Sequence, residues 1–403
     1  MSNIKNENLI QVEKLRKAGR FKEALQLVSS LEKKEDLPPH DRLAVQISKG
    51  TILIEIGTFD EALKLANLLL EENQGKKMHL LTIDMFVLKA DALWHLGNLD
   101  NSLAVISQGE QALKSLLQEQ SPDIIQREIN LTTCKGATYW AQGNLDQALK
   151  CFEQNLALSR RINNTESIAR SLQNLGAIYL SKGELDWALE HSRDGLALLE
   201  KLGNKQHIAG SLHIVGAIHS TRGELDYALK YLNSSLALYK ELTNRHHIAT
   251  SLRSIGQIYQ RKDELNQALD YLEQSLVLFE EIGNRLYLSG VLFSLISVAI
   301  DKKDLDQAQK YLQRLQEICN QEKNRAINQR CLLAEALIQK TNPRPKSMLK
   351  AQQIFAQVAN ETIVDHELTV IAILNLCELL IYELKLSSEQ EILEELQPQI
   401  TRL

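Results

Sequence analysis

Arg253, Gln257 and Arg261 stand four residues apart, so on an α-helix they share one polar face. Two guanidiniums flanking an amide can hold carboxylates bidentately, which is the chemistry of gripping an acidic peptide. A solvated helix face paired with Asp301 or nearby glutamates explains the same residues, and both readings stay open at this level. The histidines His207, His213, His219, His246 and His247 form a second set. No ordered Cys/His spacing accompanies them, so the expectation is exposed loop histidines, one core-facing ring at His219, and no metal. The five cysteines, Cys134, Cys151, Cys319, Cys331 and Cys377, contain no CxxC pair, and the chain lacks an apolar secretory start. Free thiols in a reducing, cytoplasmic compartment are expected. The sequence holds no glycine-rich phosphate loop, HExxH or GxSxG pattern, so neither catalysis nor a cofactor is expected.

The elements that position these residues follow from composition and repetition. With 44% hydrophobic and 24% charged residues over 403 positions, the chain falls in the folded rather than the disordered class. Its net charge of -5 is spread over short stretches with no basic block, which argues against nucleic acid or an anionic membrane as partner. The longest apolar runs, Val370–Leu374 and Leu379–Ile381, are interrupted by Asn375 and Glu378 and are too short to span a bilayer.

One phrase recurs: Gly19-Arg20-Phe21, Gly57-Thr58-Phe59, Gly97-Asn98-Leu99, Gly143-Asn144-Leu145, Gly183-Glu184-Leu185, Gly223-Glu224-Leu225, Asp263-Glu264-Leu265 and Lys303-Asp304-Leu305. The steps are 38, 40, 46, 40, 40, 40 and 40, with a weaker ninth copy around Ala351. Such a period marks a solenoid. Each unit reads as two helices, the first carrying Leu172, Leu175, Gly176 and Tyr179 at helical spacing and the second Leu185, Ala188, Leu189, Leu196 and Leu199. Gly183 between them suits a left-handed helix end. The small residues Gly176, Gly216 and Gly256, with Ala188, Ala228 and Ala268, predict close contact between the two helices. Asp186 and Asp226 suit helix starts. Trp187 and Tyr227, at equivalent positions, are expected to cover a neighbouring helix.

Leu175-Gly176-x-x-Tyr179 followed by Ala188, and Ile255-Gly256-x-x-Tyr259 followed by Ala268, resemble the tetratricopeptide repeat. The period of 40 exceeds that family's usual length of about 34, and Asn163, Gly203-Asn204, Asn244 and Gly283-Asn284 stand where a proline commonly closes the unit. This longer form is similar to the repeats of kinesin light chains, of spindle-orientation adaptors and of prokaryotic and archaeal arrays. The resemblance implies an all-α, right-handed superhelical solenoid of antiparallel helix pairs, about nine repeats in all. It also implies a concave groove lined by the first helices, where Gln173, Asn174, His213, Arg253, Gln257 and Arg261 become candidate partner contacts. Asn174 can both donate to and accept from a peptide backbone.

The function so implied is a scaffold or adaptor binding a partner peptide or helix, an acidic one suiting the arginines. The alternative is a ligand- or peptide-responsive sensor module of a larger signalling system. The expected organisation is a divergent N-terminal group (1–115), a connection (116–129), a regular block (130–318) and degenerate C-terminal repeats (319–403). Apolar residues persist to the last positions, so the C-terminal end either caps itself, self-associates or continues into a longer protein.

Overall fold

The computed structural model describes residues 3–34, 37–76, 78–116, 121–322, 324–361, 366–387 and 391–402. Among them are twenty helices and no strand. The first helices of successive pairs are α1 (Asn3–Lys17), α3 (Pro39–Ile56), α5 (His79–His95), α7 (Pro122–Ala141), α9 (Thr165–Lys182), α11 (Lys205–Thr221), α13 (Arg245–Arg261), α15 (Arg285–Asp301), α17 (Arg325–Lys340) and α19 (His366–Ser387). Their second helices are α2 (Phe21–Glu32), α4 (Phe59–Glu72), α6 (Leu99–Lys114), α8 (Leu145–Arg161), α10 (Leu185–Leu202), α12 (Leu225–Glu241), α14 (Leu265–Ile282), α16 (Leu305–Gln321), α18 (Pro345–Asn360) and α20 (Glu391–Arg402). Consecutive helices pack on one another along the whole chain, giving the solenoid of antiparallel pairs. Much of the 116–129 connection is the beginning of α7, whose N-terminal Pro122 follows the capping Ser121.

Local signals set the boundaries. Asn164, Asn204, Asn244 and Asn284 each precede a first helix and accept a hydrogen bond from the backbone N–H three residues on, at 3.0–3.3 Å. Asn324 does the same for α17. Such a cap satisfies a donor that the helix start leaves unpaired. Gly183 ends α9 with φ 81°, and Asp263 and Lys303 take φ 61° at the same point of their own repeats. The turn is thus imposed even where a Cβ makes it unfavourable. The small residues do bring helices together: a Cβ on Gly256 would stand 3.1 Å from the Ala268 carbonyl oxygen and 2.8 Å from Leu272 Cγ. Ala268, Leu272 and Phe279 of α14 are fully buried. Ser235 and Ser275, buried on second helices, donate to the Ala209 and Ala249 carbonyls at 2.8 Å, so these core hydroxyls are satisfied.

Along the outer turns, Lys182 pairs with Asp146 at 2.7 Å, Arg222 with Asp186, and Lys262 with Asp226 at 2.9 Å. Each link joins one repeat to the preceding one. No helix among the described residues is long and apolar enough to cross a membrane.

The solenoid winds tightly enough that successive superhelical turns touch. Asn244 Nδ2 donates to the Glu55 carbonyl at 2.6 Å, Asn284 Nδ2 to the His95 carbonyl, and Asn324 Nδ2 to the Ala141 carbonyl at 3.3 Å. The C-terminal end of a first helix therefore meets the start of the first helix five pairs later. The first two links span 189 residues and the third 183. That shortening equals the excess of the 46-residue step over 40, so the insertion before α7 leaves the winding in register. Leu242 against Gly19 and His366 against Gly183 extend the same contact in both directions.

Candidate functional site

Because the first helices wind five to a turn, their inward faces converge on the superhelical axis. Arg170 of α9 marks the centre: its charge acts on Glu55 of α3, Asp91 of α5, Cys134 of α7 and His207 of α11. These are five successive first helices. Burial pushes the Asp91 carboxyl up to about 6 against the pull of Arg170. Burial also raises Glu55 to about 7; Arg16 bonds its Oε1, while its buried Oε2 has no partner among the described residues. Burial and the Arg170 charge together hold the His207 ring well below its ordinary range. A charged group deep in the molecule without a full set of hydrogen bonds is costly unless something else satisfies it.

Gln173, His213 and Arg253 occupy equivalent positions on α9, α11 and α13, and each lies over the next repeat. A Cβ on Gly210 would collide with Gln173 Nε2 and stand 3.3 Å from Tyr239 Oη. His213 sits between the Ser251 and Ser254 hydroxyls, each 3.4 Å away, and burial drives its ring down to about 3. Arg253 crosses to α15, where a Cβ on Gly290 would stand 2.8 Å from its Nη1 and 3.7 Å from Arg330 Cζ. Arg253 Nε is buried and has no hydrogen-bond partner among the described residues. Arg330 Nη1 donates to the Leu286 carbonyl and the Ser289 hydroxyl, both at 3.1 Å. Both guanidiniums act on the phenol of Tyr287, which burial raises. Arg253, Arg330 and Tyr287 thus gather around Gly290 as a cationic cluster.

The remaining candidates divide by depth. Asn174 and Gln257 are half-buried on α9 and α13. Arg261 is exposed at the end of α13, where its Nη1 donates to the Ser220 carbonyl and hydroxyl and so caps the end of α11. The stripe read from the sequence is therefore split between an interior guanidinium and one engaged at the rim.

The histidines depart from the loop expectation. His207, His246 and His247 lie in the first turns of α11 and α13, because the Asn204 and Asn244 caps start the helices before them. His246 is 2% exposed and packs edge-on against Tyr287, 4.5 Å between ring centres, and against His95, 5.6 Å away across the superhelical turn. Burial lowers His247 to about 4 and His95 to about 3. His219 does face the core, stacked on Tyr231 at 5.3 Å with Nδ1 against Glu224. Among the described residues no group of three His, Cys, Asp or Glu side chains is arranged to hold a metal. Trp187 and Tyr227 keep 53% and 61% of their surface exposed, packing only partly on Tyr179 and His219.

Sequence reasoning passed over Glu55, Asp91, Arg170, Tyr287 and Arg330. One signal for part of this set was present. Six residues before the repeated small position, the chain reads Arg170, Gly210, Thr250, Gly290 and Arg330. Glycine stands there at the two places where the preceding repeat sends in Gln173 or Arg253.

Residues 127–201 and 207–281 match the tetratricopeptide-repeat family. No curated protein sequence matches the chain. Among solved structures it is similar to a Rap protein complexed with Competence and Sporulation Factor, at 13% identity and TM-score 0.67, covering 90% of this chain and 98% of that one. It is also similar to NprR in complex with its cognate peptide NprX, at 17% identity and TM-score 0.57, covering 89% and 98%. The apo form of the quorum sensor NprR from B. thuringiensis aligns at 15% identity and TM-score 0.53, covering 90% and 100%. Identities this low speak for the fold alone. Two segments within a continuous series of helix pairs thus match the tetratricopeptide repeat, and the chain shares the fold of these solved structures.

Proposed function

We propose that the chain binds an extended peptide segment in its axial channel, acting as an adaptor or, as the second reading, as a peptide-responsive sensor. The observation that carries this is the cluster of Arg253, Arg330 and Tyr287, where a buried Arg253 Nε has no partner among the described residues. A carboxylate supplies the acceptor that such a donor lacks. Gln173, Asn174 and Gln257 add amides that both donate and accept, as a peptide backbone requires. Support also comes from the solved structures: the Rap protein is complexed with Competence and Sporulation Factor and NprR with a cognate peptide. The sensor reading draws on the contacts between superhelical turns, since a ligand on the axis touches helices from both turns and can bias how closely they pack.

The partner so recognised carries at least one carboxylate, and Asp91 and Glu55 further along the channel favour a basic group at its other end. The reading is non-catalytic and places the protein in the cytoplasm. It includes self-association through the C-terminal end, where α19 leaves Leu374, Ile381, Tyr382 and Leu386 exposed.

The test is native mass spectrometry of the chain mixed with the small-peptide fraction of its source lysate, alongside Arg253→Glu and Arg261→Glu variants shown to be folded. Retention of a peptide by the parent and the Arg261 variant, with loss in the Arg253 variant, is expected. Equal retention by all three, or loss only in the Arg261 variant, sinks the channel reading.

A further inference from the structure

Three of the five cysteines, Cys134, Cys151 and Cys377, are buried, whereas Cys319 and Cys331 are partly exposed. Cys319 lies near the end of α16 and Cys331 in the second turn of α17. Cys319 Sγ lies 3.6 Å from the Ile327 carbonyl oxygen, so its thiol abuts the turn of α17 that leads to Cys331. Both line one cavity of about 590 Å³ with Asn328, Gln329, Gln357 and Glu361. Gln329 is 2% exposed, and its Oε1 has no hydrogen-bond partner among the described residues. The site thus has two adjacent thiols, an open approach and an unused acceptor.

We propose that Cys319 and Cys331 are a peroxide-sensitive dithiol that closes to an intramolecular disulfide between α16 and α17. The Cys331 thiolate attacks one oxygen of a hydroperoxide. An S–O bond forms, the O–O bond breaks, and the other oxygen leaves as an alcohol, or as water from hydrogen peroxide, after taking up a proton. Sulfur is oxidised to the sulfenic acid and the peroxide is reduced. The Cys319 sulfur then attacks the Cys331 sulfur; the S–S bond forms, the S–O bond breaks, and hydroxide departs as water with the Cys319 proton. Cys331 is the attacking sulfur because the neighbouring Cys319 shifts its thiol toward the thiolate, although burial and Glu335 oppose this. Such a thiolate reacts where a buried thiol does not.

The ring so closed contains Asn324, which caps α17 and donates to the Ala141 carbonyl of the preceding superhelical turn. Oxidation therefore ties down one of the three asparagine links between turns.

The experiment treats the reduced full chain with stoichiometric hydrogen peroxide and maps its tryptic peptides by mass spectrometry. The expected product joins Leu315–Lys323 to Cys331–Lys340 and is reversed by dithiothreitol. Cys331 should oxidise at least about tenfold faster than Cys134, Cys151 or Cys377. Cys331→Ser should abolish the crosslink. Cys319→Ser should leave Cys331 reactive but halted as a sulfenic acid that a cyclic 1,3-diketone traps. The proposal is overturned if the parent chain gives no 319–331 crosslink, gives only crosslinks between chains, or oxidises Cys331 no faster than the buried cysteines.

Discussion

The first superhelical turn and the second solve the same problem differently. In the second, α11, α13, α15 and α17 all start at an asparagine whose side chain caps the helix, as α7 and α9 of the first do at Ser121 and Asn164. In the first, α3 and α5 start after Pro38 and Met78 with no side-chain cap. Yet it is the ends of α3, α5 and α7 that receive the asparagine amides from the second turn. The hydrophobic cluster around Val12, Phe21, Val28 and Ile52 likewise includes Ala209, Tyr239 and Leu242 from the second turn. The divergent half is thus completed by the regular half, and its drift from the repeat pattern is tolerated because part of its stability is supplied from five repeats away.

The sharpest way to break this relation is at Phe279, which is fully buried, stacks on Tyr287 and meets His246 edge-on. Phe279→Ala should cost about 3–5 kcal/mol, read by urea unfolding, and should loosen the first turn as well as the second in hydrogen exchange. Protection lost only in α13–α15 would mean the turns are energetically independent. Next, Asn244→Ala with Asn284→Ala removes two caps and two links between turns, for about 2–4 kcal/mol together, and should enlarge the radius of gyration in solution scattering. Asn164→Ala, whose amide goes instead to Gln126 of the adjacent repeat, should cost only about 1 kcal/mol and leave the scattering unchanged.

Acidification probes the same junction. His95, His207, His213, His246 and His247 all have folded-state values depressed by burial, so below about pH 6.5 the unfolded chain binds their protons and the folded chain does not. Their contribution is lost as pH falls. Glu55 and Asp91, raised to about 7 and about 6, act oppositely over the same range. Five groups outweigh two, so the urea midpoint should fall between pH 7 and pH 5; a flat profile would refute the burial of the histidine set. Smallest is Lys182→Ala, which removes one rung with a largely exposed Asp146 and should change stability by no more than about 0.5 kcal/mol.

Much of this architecture was legible because a solenoid is written locally. Gly183 and its counterparts Asp263 and Lys303 announced the turns, and Gly256 and Ala268 the close helix contact. Arg261 was misjudged in one respect: its spacing placed it on the Arg253 stripe, but a helix ends in free carbonyls, and the nearest, at Ser220, engages it. The convergence of Glu55, Asp91, Arg170 and His207 was beyond the sequence for a different reason. It depends on the small rotation from one repeat to the next, accumulated over five pairs, and no residue spacing encodes that sum. The asparagines show the same limit, since a cap can be read from its position while a bond 189 residues away cannot.

Those bonds between turns have a mechanical consequence. A coil whose loops touch resists stretching like a closed spring: tension does little until it parts the asparagines from the carbonyls facing them, and beyond that point extension needs only small pivots between neighbouring helix pairs. The three links lie side by side, so they share the load at first, and the array should show a stiff threshold followed by a compliant, reversible stretch.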